Sequence, residues 1–247
     1  MGVRLRTSLN NGLNNGLRQS ISGGVDSVVT TNLSLHLDAG NSNSYSGSGT
    51  DWLDLTSNNV DFTLTNGPVY NSGFSGYFTF DGSNDYADTT STITNFGTNP
   101  FTVEIWHRTH TVADFESLLS SNVGGAFNGT YQIDHIDGKL RFTASGTGNN
   151  KAVSNATSSL NTWKQIVFVR EGTSANQFKI YLNGVLDTTT ILDTDLHVDQ
   201  SPSIGRNRGG NAFFDGDISI IRMYNNKALS SSEVTQNFNA NKGRYSL

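Results

Sequence analysis

The sequence contains no cysteine. That excludes a disulfide scaffold, a thiolate zinc site and a cysteine nucleophile together. Proline is scarce, with 3 in 247 residues, and charged residues make up only 15%. Helical bundles draw on Ala, Leu, Glu and Lys, so this composition argues against one. No excess of basic residues exists either. The net charge is −5, and nucleic acid is not an expected partner. No apolar run approaches the ~20 residues of a membrane-spanning helix, so membrane insertion is not expected. Arg4 and Arg6 are followed by no apolar stretch, so no signal peptide is read. Two sequons, Asn128-Gly-Thr130 and Asn155-Ala-Thr157, therefore lack a secretion context. Synthesis in the cytoplasm is expected, and a place outside the cell would need another route, such as assembly into a particle.

What the chain does have is glycine (26), 10% aromatics and many short alternating segments. That profile suits strands joined by polar turns. Asn32–Asp38, Val60–Leu64, Phe101–His107, Phe115–Ser120, Thr130–His135, Leu140–Ala144, Trp163–Arg170 and Phe178–Leu182 all read as strands. Asn183-Gly184 is the strongest hairpin signal, and Asp137-Gly138 is a second. In Phe101–His107, alternation puts Phe101, Val103, Ile105 and His107 on one face and Thr102, Glu104 and Trp106 on the other. The segment from Ala212 to Tyr224 reads as a turn at Asp215-Gly216 and then a strand. Its Ile218, Ile220 and Arg222 are expected on one face, with Ser219, Ile221 and Met223 on the other. Apolar residues on both faces place it near the middle of a sandwich. Ser230-Ser-Ser-Glu233, flanked by Leu229 and Val234, is a capping box with a staple and predicts one short helix.

Residues 1–29 differ. Asn-Asn-Gly-Leu occurs twice in tandem, and Leu9, Leu13, Leu17 and Ile21 recur every four residues, as on one helix face. Each glycine in that run costs about 1 kcal/mol of helix stability, so the helix is expected to order only against a partner. This divides the chain into an assembly arm, 1–29, and a domain, 30–247.

Several stretches together resemble the laminin-G-like and pentraxin-like domains of the concanavalin A-like lectin/glucanase superfamily. They are Phe80-Asp81-Gly82 with Asp85-Tyr86, Phe101–Trp106, Trp163 with Val167, Ile180–Gly184, Ile204-Gly205, Phe214–Ile218 with Arg222–Tyr224, and Ala228–Ser230 with Glu233-Val234. The resemblance spans about residues 31–245. It implies an all-β, two-sheet antiparallel jelly roll that binds rather than catalyses, of a kind found in phage virion proteins. The implied role is a virion structural protein, a capsid decoration or tail appendage, with a lectin-like domain adhering to glycans. Residues 1–29 would contact other virion proteins, and a homo-oligomer is expected. A purely structural subunit is the alternative.

Enzyme chemistry is not expected. Glucanases of this fold carry paired carboxylates as Glu-x-Asp-x-x-Glu, whereas Glu104 stands in Glu-Ile-Trp-His-Arg-Thr. His107 and His110 would point to opposite strand faces and make a poor metal pair. By position, the pentraxin ligand loops resemble residues 122–131 and 206–213, but the second offers Arg206, Asn207, Arg208 and Asn211 rather than carboxylates. The ligand-bridging calcium is therefore not expected. Glycan-binding candidates are Asn128 on the first loop and Arg206, Asn207, Arg208 and Asn211 on the second, with Phe213 as a stacking ring. The resemblance also implies a structural calcium ion, for which Asp38 and Asp217 are the candidate ligands.

Overall fold

The computed structural model describes residues 27–93, 95–122, 129–144, 150–197 and 201–247. Strands are numbered in chain order. The first sheet holds β1 (Leu33–Asp38), β4 (Val69–Asn71), β5 (Tyr77–Asp81), β7 (Phe101–Thr109), β12 (Lys164–Arg170), β13 (Phe178–Leu182), β14 (Val185–Thr190) and β16 (Asp215–Asn225). The second holds β2 (Asp51–Trp52), β3 (Phe62–Thr65), β6 (Tyr86–Asp88), β8 (Ser117–Ser120), β9 (Tyr131–Ile136), β10 (Lys139–Ala144), β11 (Lys151–Thr157) and β15 (Ser203–Ile204). The first sheet runs β14-β13-β12-β7-β16-β5-β4, with β1 also on β16, and the second runs β11-β10-β9-β8-β15-β6-β3-β2. Phe78, Ile105, Phe168 and Ile221 from the first sheet meet Phe62, Leu119, Ile133 and Phe142 from the second in one core. This is the expected antiparallel two-sheet sandwich.

β16 is the central strand. β7 lies along one side of it, and β5 and β1 share the other side, pairing with its first and later residues respectively. Its face pattern differs from simple alternation. The register to β7 shifts between Ile218 and Ile220, so Ser219 forms a bulge. Ile218 therefore joins Ile221 and Met223 in the inter-sheet core, while Ile220 packs outward with Trp106, Trp163 and Tyr245. The expected pairing of Ile218 with Ile220 and Arg222 is corrected by that one inserted residue.

The two hairpin signals close as read. Asn183 and Gly184 have φ of 49° and 77°, and Asp137 and Gly138 have φ of 49° and 70°, the positive values a primed turn requires. Strand β11 was not read from the sequence, and neither was β4. The helix α1 (Ser231–Lys242) carries the capping box, with Glu233 donating its backbone N–H to Ser230 Oγ. It covers the outer face of the first sheet: Asn237 Nδ2 donates to Glu104 Oε2 at 2.8 Å, and Arg222 Nη2 donates to Asn241 Oδ1 at 3.3 Å. Val29 joins this layer, its N–H donating to Asn237 Oδ1 at 2.8 Å while its carbonyl accepts from Tyr224 Oη at 2.9 Å. The expected boundary between residues 29 and 30 thus falls inside packed structure. Leu9, Leu13, Leu17 and Ile21 lie outside the described residues. Among the described residues, no helix is long and apolar enough to cross a membrane.

Candidate ligand-binding cleft

Among the described residues, no helix covers the outer face of the second sheet at β9, β10 and β11. Alternation sends Ile133, Leu140, Phe142 and Ala152 into the core and Asp134, Arg141 and Val153 outward, paired in register across the three strands. Lys139 and Lys151 share that outer face. Arg141 grips Asp134 with two bonds, Nε to Oδ1 at 2.8 Å and Nη2 to Oδ2 at 2.6 Å. Burial pushes the Asp134 carboxyl up, and the Arg141 guanidinium opposes that shift. Gln132 Nε2 also donates to Asp134 Oδ2 at 2.8 Å, and its Oε1 accepts from Asn207 Nδ2 at 2.7 Å. The floor is therefore a fixed, internally satisfied polar row.

Phe115 stands over this floor. Its backbone lies in the left-handed region, with φ of 71°, and its N–H donates to the His135 carbonyl at 2.8 Å. Left-handed backbone is unfavourable for a bulky residue, and such strain clusters at ligand sites. The ring is 52% exposed, and the Arg141 guanidinium lies 5.3 Å from its centroid. Phe115, Ile136 and Val153 form the apolar lining of a cleft of about 500 Å³, and Asp137, Lys139, Arg141 and Lys151 form the polar lining. An exposed ring flanked by charges and hydrogen-bonding groups can stack on one flat apolar surface while binding hydroxyls at its edges.

The residues expected to bind glycan fall elsewhere. The Arg206 guanidinium lies 3.4 Å over the Tyr86 ring and donates to Asp88 Oδ2 at 2.7 Å. Asn207 is buried between Gln132 and the Gly209 N–H. Arg208 donates to the carbonyls of Thr89 and Pro202, at 3.4 and 3.2 Å. These donors hold the 206–211 loop onto the sheet instead of facing a ligand. Asn211 is exposed and Phe213 half-buried. Asn128 lies outside the described residues. The sequence reads Phe115 only as the start of a strand; the local signal is an aromatic flanked by two carboxylates, Asp114 and Glu116.

A laminin-G family profile described as the concanavalin A-like lectin/glucanases superfamily matches residues 81–235, more than half of the chain. The chain belongs to that superfamily. No curated protein matches this laminin-G-like chain by sequence. Among solved structures it is similar to domain 4 of AbnA, a GH43 extracellular arabinanase from Geobacillus stearothermophilus in complex with arabinotriose. That match has a TM-score of 0.64 at 17% identity and covers 84% of this chain and 98% of that one. It is also similar to the binding domain of Paraclostridial Mosquitocidal Protein 1 (TM-score 0.63, 19% identity, 84% and 52% covered). The botulinum neurotoxin serotype G binding domain matches as well (TM-score 0.63, 13% identity, 84% and 50% covered). The laminin-G-like chain spans about half the length of these two toxin binding domains.

Glu104 is the laminin-G-like chain's nearest counterpart to a glucanase carboxylate. It has no solvent exposure and accepts bonds from Trp106 Nε1, Gln165 Nε2, Arg222 Nη1 and Asn237 Nδ2 at 2.8 to 3.0 Å. A carboxylate so enclosed cannot attack a substrate. His107 is buried, and His110 lies between Asp215 and Asp217 at 3.2 and 3.0 Å. The expected calcium ligands do not fit an ion. Asp38 is clamped by Arg244 at 2.8 and 2.9 Å, and Asp217 accepts from Arg108 at 2.6 Å and Thr79 at 2.6 Å. Each carboxylate is already neutralised by its own arginine. Among the described residues no group of three or more His, Cys, Asp or Glu could hold a metal.

Proposed function

We propose that this laminin-G-like chain is a non-catalytic carbohydrate-binding domain whose ligand occupies the Phe115 cleft. One observation carries the reading: a half-exposed ring held by a left-handed backbone above a rigid polar floor. Surface aromatics fixed in this way present a flat face to a sugar ring at little entropic cost. The arabinotriose in the similar arabinanase domain supports it by analogy of fold. The proposal includes a virion setting, with residues 1–29 contacting other particle proteins and the domain acting as an adhesive subunit. It rests on the cysteine-free composition and the four-residue leucine spacing of that segment. Mass spectrometry of purified particles would test that part.

The binding reading is tested on a glycan array with calcium and with chelator. Retention is expected to be unaffected by chelator and lost in Phe115→Ala, with the thermal midpoint little changed. Retention unchanged in Phe115→Ala would move the ligand away from the cleft. No retention of any saccharide would favour a purely structural subunit.

A further inference from the structure

We infer that the ligand of this cleft is an oligomeric, carboxylate-bearing glycan, such as a uronic acid chain, lying along β10; the inference rests on the carbohydrate-binding reading above. The decisive observation is how cations are partnered. Arg108, Arg141, Arg206, Arg222, Arg244, Lys179 and Lys227 all sit in ion pairs. Arg170, Arg208 and Lys164 donate to backbone carbonyls, and Lys242 lies over the Phe238 ring. Among the described residues, Lys139 and Lys151 alone of the lysines and arginines have no such partner, and both line the Phe115 cleft. In a chain of net charge −5, two unmatched cations lining one cleft favour an anionic ligand.

The spacing sets the ligand's length. Lys151 pairs with Thr143 of β10, four residues on from Lys139, so the two backbone positions are about 14 Å apart along and across the strands. Arg141, beneath Phe115, lies midway between them in β10. A single ring on Phe115 does not span both lysines, so they address sugars on either side of the stacked one. Lysine ammoniums act as point charges suited to single carboxylates. Asp137 lines the Lys139 end and partly offsets that charge, which leaves Lys151 the stronger contact.

The test is calorimetric titration of the full chain with hexagalacturonate, its methyl ester, free galacturonate and a heparin hexasaccharide. The acid hexamer should bind about tenfold more tightly than the ester, as two partly screened ion pairs allow. The monomer should bind far more weakly. The double variant Lys139→Gln/Lys151→Gln should weaken the acid to the level of the ester and leave the ester unchanged. Phe115→Ala should abolish both. Equal binding of acid and ester, or tighter binding of heparin, would overturn the carboxylate assignment. If Phe115→Ala still abolished ester binding in that case, the carbohydrate reading would stand without it. Failure of every saccharide to bind would overturn both.

Discussion

Arg222 Nη1 donates to Glu104 Oε1 at 3.0 Å in a position where the two side chains are 1% and 0% exposed. The pair sits between the first sheet and α1, and three further donors converge on the same carboxylate. Removing one partner of a buried pair strands the other charge, which costs about 3–5 kcal/mol. Glu104→Ala should therefore lower stability by that amount in urea denaturation. Glu104→Ala/Arg222→Ala should lose clearly less than the sum of the two single variants, because the second removes the stranded charge. Additive losses would show that the pair is not coupled.

Phe115 allows a sharper comparison. An L-residue in the left-handed region costs roughly 1–2 kcal/mol that glycine avoids. Phe115→Ala and Phe115→Gly both delete the ring, so their difference isolates the backbone. The glycine variant should be about 1 kcal/mol more stable than the alanine variant, and both should lose ligand. Equal stability in the two variants would mean that residue 115 carries no backbone strain.

These residues mark where the sequence was and was not legible. Asn183-Gly184 and Asp137-Gly138 predict their hairpins because the positive φ values are written into the residue types. The capping box at Ser230 and Glu233 is equally local. The faces of β16 were misassigned at Ile218 because a bulge inserts one residue and shifts every later side chain, with no sequence mark at Ser219. The partners of the loop arginines are set at longer range. Arg206 looks free in the chain, but its partner Asp88 is 118 residues away. Phe115 looks like a strand residue until the His135 carbonyl holds its N–H. Local chemistry was readable, and side-chain partners from distant strands were not.

Two buried histidines predict acid sensitivity. Burial, with charge from His135 and Lys164, lowers His107 to about 3. Burial lowers His135 to about 4, with Asp114 opposing. Among the described residues, neither ring nitrogen of His135, nor His107 Nδ1, has a hydrogen-bond partner. The unfolded chain takes up these protons near pH 6.5 and the folded protein does not, so stability is full above pH 6.5 and falls as pH drops toward 4. Between pH 6.5 and 5 each ring removes up to about 2 kcal/mol. Urea denaturation at pH 7, 6 and 5 should show this loss, and His107→Leu/His135→Phe should reduce it without abolishing it, because burial and the Arg222 charge also lower His36 to about 3. An unchanged slope in the double variant would assign the acid sensitivity to other groups.

The open edges of the two sheets meet at one side chain. Asp187 on edge strand β14 accepts from the backbone N–H groups of Asn155 at 2.6 Å and Ala156 at 3.0 Å, both on edge strand β11. Asn155 Nδ2 returns a bond to the Asp187 carbonyl at 3.0 Å. An unpaired edge invites pairing with a second chain, and a carboxylate that occupies its donors blocks that route. Asp187→Ala should cost about 1–2 kcal/mol, since the freed N–H groups are exposed and water replaces part of what is lost. It should also produce association that rises with protein concentration in light scattering. Asp187→Asn keeps one acceptor oxygen and should fall between the two. If Asp187→Ala stayed monodisperse under conditions where the parent does, the β11 edge would have to be protected by its twist and its neighbours rather than by this carboxylate.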